Sequence, residues 1–153
     1  MTNAVILAVA LAVGHHSEQA RWEALSVLES RDDDSANGKS GEVSRWQILK
    51  SEWRNAVTDS VDRATNAVYA LKVCRYVMYR REQHYAFKHG FPILEGHLER
   101  RGTNVVMACT YELDKITDRQ FALLWHCPAH VDRPRKDERE YADRFEAVLK
   151  GTP

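Results

Sequence analysis

The sequence lacks any surplus of charge: 22 Lys and Arg are matched by 22 Asp and Glu, for a formal net charge of zero. Nucleic-acid binding draws much of its affinity from a basic excess, so no nucleic-acid partner is expected. Cysteine is scarce. Cys74, Cys109 and Cys127 form no CxxC pair, which excludes a disulfide-built miniprotein and argues against structural zinc. Their odd number leaves at least one thiol unpaired within the chain, while a Cys74–Cys127 bridge stays open if the protein is exported. No internal repeat and no low-complexity tract is present.

Long apolar runs are missing too. The stretch from Ala4 to Val13 covers ten residues, whereas a spanning helix needs about twenty, so no stable membrane span is expected. The stretch fits the apolar core of a secretory signal, with Ala12 and Gly14 as small residues before a cleavage point, although only the amino terminus supplies positive charge. The alternative is a buried N-terminal helix or strand. The expected organisation is a signal segment over residues 1–14 and one domain over 15–153, in a protein that is secreted or periplasmic. A length of 153 residues suits one domain, and 44% hydrophobic with 29% charged residues allows a core. A monomer is expected, though the oligomeric state stays open.

The patterning is mainly helical. Ser17 caps a helix to about Ser30, with Glu18 in its first turn. The polar stretch Arg31 to Gly41 contains Asn37-Gly38, a strong hairpin signal, and predicts a small β-hairpin near residues 35–48. Val57, Val61, Ala64, Val68, Leu71, Cys74 and Met78 are spaced as a helical stripe, predicting one long helix or two collinear ones ending before Gly90. From Gly90 to Tyr111 glycine and proline break the pattern, and Val105 to Cys109 reads as a strand or a short buried helix. Thr117 and Gln120 form a capping box for a helix ending before Pro128. A last helix, from about Arg135 to Lys150, places Tyr141, Phe145, Val148 and Leu149 on one face, with Gly151 as its stop. The fold class expected is mainly α, as α+β.

Glu29 is the informative acid. Trp22, Leu25 and Glu29 share one helix face, and Glu29 lies in the last turn. Loss of water and the negative end of the helix dipole both raise a carboxyl pKa. A carboxylic acid kept protonated near neutrality is what a glycosidic oxygen needs as general acid. The plain alternative is an exposed helix-terminal residue.

Three segments stand in order. Glu29-Ser30 closes the first helix, Ser44-Arg45-Trp46-Gln47-Ile48 follows the polar turn, and Leu124-Trp125-His126-Cys127-Pro128 comes much later. Together they resemble the lysozyme-like superfamily, especially bacterial lytic transglycosylases and goose-type lysozymes, over roughly residues 17–55 and 117–149. The resemblance implies a lysozyme-like fold with an insertion at 90–114. It implies Glu29 as catalytic acid, and Ser30 and Gln47 as residues that orient it or bind sugar amides. Ser44 and Trp46 would join the substrate-binding set. Trp125 and His126 would stand where that superfamily has a Tyr-Asn pair on the cleft floor; His126 for Asn and Cys127-Pro128 for small residues depart from the pattern. The partner implied is the peptidoglycan glycan strand, cleaved at its β-1,4 linkage, with no metal or organic cofactor.

Glu42 is the second carboxylate. Chicken-type lysozymes resemble this stretch in carrying an acid five residues before the Gln of their own Gln-Ile segment, as Glu42 precedes Gln47 here. Across a cleft from Glu29 it would act as base, nucleophile or charge stabiliser. A carboxyl separation of about 5–5.5 Å would favour retention and about 6.5–9.5 Å inversion. With Glu42 turned away, Glu29 alone would suit a transglycosylase. Asp32, Asp33 and Asp34 compete with Glu42, although such a run usually marks a solvated turn.

Other groupings are weaker. His126, Cys127 and His130 lie close in sequence, but Pro128 interrupts them. His84, His89 and His97 are scattered, and Cys127 beside His126 has no orienting acid evident. Lys72 to Arg101 is basic with interleaved tyrosines and reads as a solvated helix face, with Tyr76 or Tyr85 partly in the core. The tryptophans at 22, 46, 53 and 125 suit either sugar stacking or the core. A domain of this fold that only binds glycan or a protein partner is the alternative to an enzyme.

Overall fold

The computed structural model describes residues 16–101 and 104–151. The expected signal segment lies outside them. In chain order the elements are α1 (Glu18–Ser30), β1 (Glu42–Val43), β2 (Ile48–Leu49), α2 (Lys50–Ala56), a 3₁₀ turn (Val61–Thr65), α3 (Ala67–Lys88), β3 (Ile93–Arg101), β4 (Asn104–Tyr111), α4 (Asp118–His126) and α5 (Lys136–Leu149). The architecture is mainly α with two antiparallel two-stranded sheets, β1–β2 and β3–β4. No described helix is long and apolar enough to cross a membrane.

Local signals hold at several helix ends. The Ser17 hydroxyl accepts from the Ala20 amide and starts α1. Thr117 and Gln120 form both halves of the predicted capping box at α4. Gly151 takes φ +67° just past α5, the left-handed conformation glycine adopts without a Cβ penalty.

The stripe read from Val57 is displaced. A 3₁₀ turn and a cap at Asn66 precede α3, which begins only at Ala67. Val68 is 71% exposed, and the buried face of α3 runs instead through Ala70, Val73, Cys74, Val77, Met78, Tyr85 and Ala86. The predicted hairpin forms, but Asn37-Gly38 is not its tip: Asn37 bridges Val43, and the chain turns through Lys39–Gly41 with Gly41 at φ +87°. A second hairpin, β3–β4, occupies the segment read as an insertion, and none of its described side chains is fully buried: those of β3 are mostly exposed and those of β4 mostly half-buried. Of the two tyrosines considered for the core in the basic stretch, Tyr85 enters it and Tyr76 stays outside. Cys74, Cys109 and Cys127 are unpaired, so no Cys74–Cys127 bridge is present.

One core joins α1, the β1–β2 hairpin and α2 to α5. Its centre is aromatic: Trp22 meets Trp46, Phe121 and Trp125 edge-on at centroid distances of 6.3, 5.5 and 5.4 Å. Indole nitrogens tie the same residues together, Trp46 Nε1 donating to the Trp22 carbonyl (2.9 Å) and Trp125 Nε1 to the Trp46 carbonyl (3.1 Å). Buried tryptophan needs such acceptors, and the main chain of its neighbours supplies them. This knot fixes the first hairpin against the N-terminal half of α1 and the end of α4.

Candidate active site

The site is built at the end of α1. Arg31 (φ 59°) and Asp32 (φ 64°) turn the chain back immediately after Ser30. Two successive non-glycine residues in the left-handed region are costly and need holding in place. The Arg31 amide bonds to the Val27 carbonyl (3.0 Å), the Asp32 amide to the Ser26 carbonyl (3.2 Å), and the Ser26 hydroxyl bonds the Asp32 carboxylate. Ser30 contributes to the same turn: its hydroxyl donates to the Ser26 carbonyl and accepts from the Asp33 amide (3.1 Å).

The three candidate aspartates are occupied by the loop itself. Arg45 pairs with Asp34 (2.6 Å) and more loosely with Asp32 (3.6 Å). Asp33 accepts from the amide and hydroxyl of Ser35, which hold its carboxyl below the usual range.

Glu29 is half-buried. The Tyr141 hydroxyl, arriving from α5, donates to its Oε1 at 2.5 Å. Burial is the largest influence on the Glu29 carboxyl and raises its pKa; the Tyr141 hydrogen bond opposes this, the Glu42 charge adds to the rise, and Arg144 opposes it. The net direction is upward. Tyr141 is 4% exposed, and burial together with the Glu29 charge lifts its phenol well above the ordinary value, so it remains a donor.

The ring of His126, at the end of α4, stacks on Tyr141 with centroids 3.9 Å apart and planes 10° off parallel. Burial, first among several influences, lowers the His126 pKa and favours neutral imidazole. Tyr141 and Arg144 were missed as site residues. Tyr141 reads as core in the sequence, and the signal for its second role is chemical: a buried phenol requires a hydrogen-bond partner. Arg144, three residues on, lies on the same side of α5.

Glu42 and Gln47 approach from the first hairpin. A Cβ built on Gly38 would stand 2.2 Å from Glu42 Oε2 and 2.6 Å from Gln47 Oε1, so the ends of both side chains rest over this glycine and a larger residue would displace them. The Glu42 carboxylate also accepts from the Ser40 amide at 2.9 Å. Gln47, at φ 51°, folds its amide onto the Ser44 carbonyl at 2.9 Å. Glu29, Glu42, Tyr141, His126 and Arg144 thus form one electrostatic neighbourhood, with Gln47 against Glu42.

Other expected contacts fall outside it. Ser44 is 2% exposed, and its hydroxyl accepts from the Trp46 amide inside the hairpin turn. Trp46 and Trp125 are 5% and 6% exposed within the aromatic knot, so their ring faces are covered by protein and closed to sugar. Trp22 and Trp53 are buried as well. Ser30 serves the turn rather than the Glu29 carboxyl.

Among the described residues no three His, Cys, Asp or Glu side chains converge as metal ligands. His130 bonds Glu138 at 2.7 Å, and burial pushes the Cys127 thiol up to about 11, unlike an activated nucleophile. Glu29 lines none of four cavities of about 390–540 Å³ on the protein. Comparison with known proteins adds no relative: no family model, no curated protein and no solved structure matches the chain.

Proposed function

We propose that the chain is a glycan-cleaving enzyme, a peptidoglycan glycosidase or lytic transglycosylase of lysozyme-like type, with Glu29 as general acid. The observation that carries this reading is the 2.5 Å bond from the Tyr141 hydroxyl to one oxygen of a carboxyl whose pKa burial raises. Tyr141 occupies Oε1, which leaves Oε2 to carry the proton toward the substrate.

In the reaction, Oε2–H protonates the glycosidic oxygen as the bond to the anomeric carbon breaks. The departing sugar leaves as an alcohol, and positive charge develops on the ring. Either water or a hydroxyl of the same sugar then attacks the anomeric carbon, and Glu29 recovers its proton from that nucleophile. Water gives a reducing end; the internal hydroxyl gives an anhydro ring. Glu42, near enough to raise the Glu29 pKa, stabilises the developing charge or activates the nucleophile. The substrate class rests on the ordered resemblance of the three sequence segments, and an exported location on the signal-like stretch from Ala4 to Val13.

The test is digestion of purified bacterial peptidoglycan, with mass spectrometry of the soluble fragments from the wild type and from Glu29→Gln. Muropeptides released by the wild type and not by the variant are expected, and the presence or absence of one water at the new end distinguishes the two reactions. Binding to peptidoglycan with no soluble product from either protein would replace the enzyme with a glycan-binding domain.

A further inference from the structure

A separate cavity of about 540 Å³ lies between α2, α3 and the segment following α4, and none of the candidate active-site residues lines it. Its apolar lining includes Ala56, Val77, Leu124 and Val131. Val77, Leu124 and Val131 also belong to the hydrophobic core, so this surface is fixed by packing. One wall is cationic. Arg80, His84 and Lys88 line the cavity at successive spacings of four along α3, a single stripe of that helix.

The acids of the cavity are already neutralised. Glu52 pairs with Arg81, whose guanidinium also donates to the carbonyls of Leu124 (3.0 Å) and Trp125 (2.6 Å). Asp132 receives Lys88 at 2.7 Å and His89 at 3.0 Å. Arg80 and His84 have no ion-pair partner among the described residues; the Arg80 guanidinium only stands 6.0 Å from the Tyr76 ring centroid. The result is an apolar floor with unmatched positive charge at its wall, and a volume in the range of about 300–1,000 Å³ typical of small-molecule sites.

We infer that this cavity binds a small amphipathic carboxylate, its hydrocarbon body against Val77, Leu124 and Val131 and its carboxylate at Arg80 and His84. A neutral molecule of the same shape leaves Arg80 without a counter-charge. A short carboxylate gains the charge contact but buries little apolar surface. Both parts are therefore needed for binding, and neither involves Glu29.

Titration calorimetry on the full chain, with octanoate, 1-octanol and acetate as probes, tests this. Octanoate is expected to bind saturably at one site, with 1-octanol weaker by about tenfold or more, the scale of one hydrogen bond to a charged group, and acetate weaker by about tenfold or more because it lacks the buried methylenes. Replacing both exposed basic side chains (Arg80→Ala with His84→Ala) is expected to weaken octanoate about tenfold or more and leave 1-octanol unchanged. Filling the space from an exposed lining position, with Ala129→Trp, is expected to weaken both. Equal affinity for octanoate and 1-octanol, or octanoate binding indifferent to both sets of substitutions in proteins with wild-type circular dichroism, would overturn the assignment. These outcomes are independent of any turnover at Glu29.

Discussion

Tyr141 and Glu29 are 112 positions apart in the chain and 2.5 Å apart in the fold, the phenol donating to the carboxyl. The bond favours the ionised form of Glu29, while burial and the nearby Glu42 favour the protonated form, and the latter prevail. Tyr141 therefore restrains the acid as well as aiming it.

Glu29→Gln is expected to lower turnover by about 10²-fold or more, the usual contribution of a positioned general acid. Its effect on stability follows from the raised pKa. A group whose folded pKa lies above the unfolded one contributes stability at acid pH and loses it as pH rises through the folded value. The variant should match or exceed the wild-type melting temperature at neutral and alkaline pH, with its relative advantage shrinking under acid conditions. Thermal melts across a pH series check this.

Tyr141→Phe removes the phenol's hydrogen bond to the Glu29 carboxyl. The Glu29 pKa is then expected to rise further, moving the alkaline limb of the pH–rate profile upward. Unfolding should become easier by about 0.5–1.5 kcal/mol, the net value of one such bond. An unshifted alkaline limb would separate Tyr141 from the acid.

Glu42→Gln removes a neighbouring negative charge and should shift that limb the other way, toward lower pH. If Glu42 also activates the nucleophile, turnover falls by a further factor of about 10² or more at every pH. A pH–rate profile reads the two effects separately.

Glu82, on α3, is pushed up to about 7 by burial, with Arg21 opposing and Glu18 adding to the rise. The stability contributed by Glu82 is therefore lost as pH climbs from about 4.5 to about 7. Glu82→Gln should remove that contribution from the stability curve in chemical denaturation, leaving the same-sign contribution of Glu29 and the opposite-sign one of His126.

Trp125→Ala is expected to cost about 3–5 kcal/mol, as for other large core deletions. It opens the aromatic knot and removes the bond to the Trp46 carbonyl. Peptidoglycan affinity should change only as far as folding does, a result readable from pull-down at temperatures where the variant remains folded.

The features open to sequence reading were those whose causes are local. Ser17 and Thr117 announce helix starts because a cap acts over three residues. Glu29 could be placed beside the core because Trp22 and Leu25 lie two turns and one turn before it. Val105 to Cys109 could be read as a strand or a short buried helix, but its pairing with β3 was not legible, because the described side chains of β3 are mostly exposed and show no in-and-out alternation. Trp46 and Trp125 look equally suited to sugar and to core until the direction of each indole is known, and here each donates to the main chain of a neighbouring tryptophan.

The sequence by itself determined a mainly helical chain and an acid on the edge of an apolar helix face, since both follow from residue spacing within a few turns. Tertiary structure alone decided that a phenol from the last helix grips that acid, that Gly38 makes room for Glu42 and Gln47, and that Asp32 to Asp34 serve the loop. Those relationships depend on where separate elements dock, and docking is fixed by the summed packing of a core drawn from the whole chain rather than by any short stretch of it.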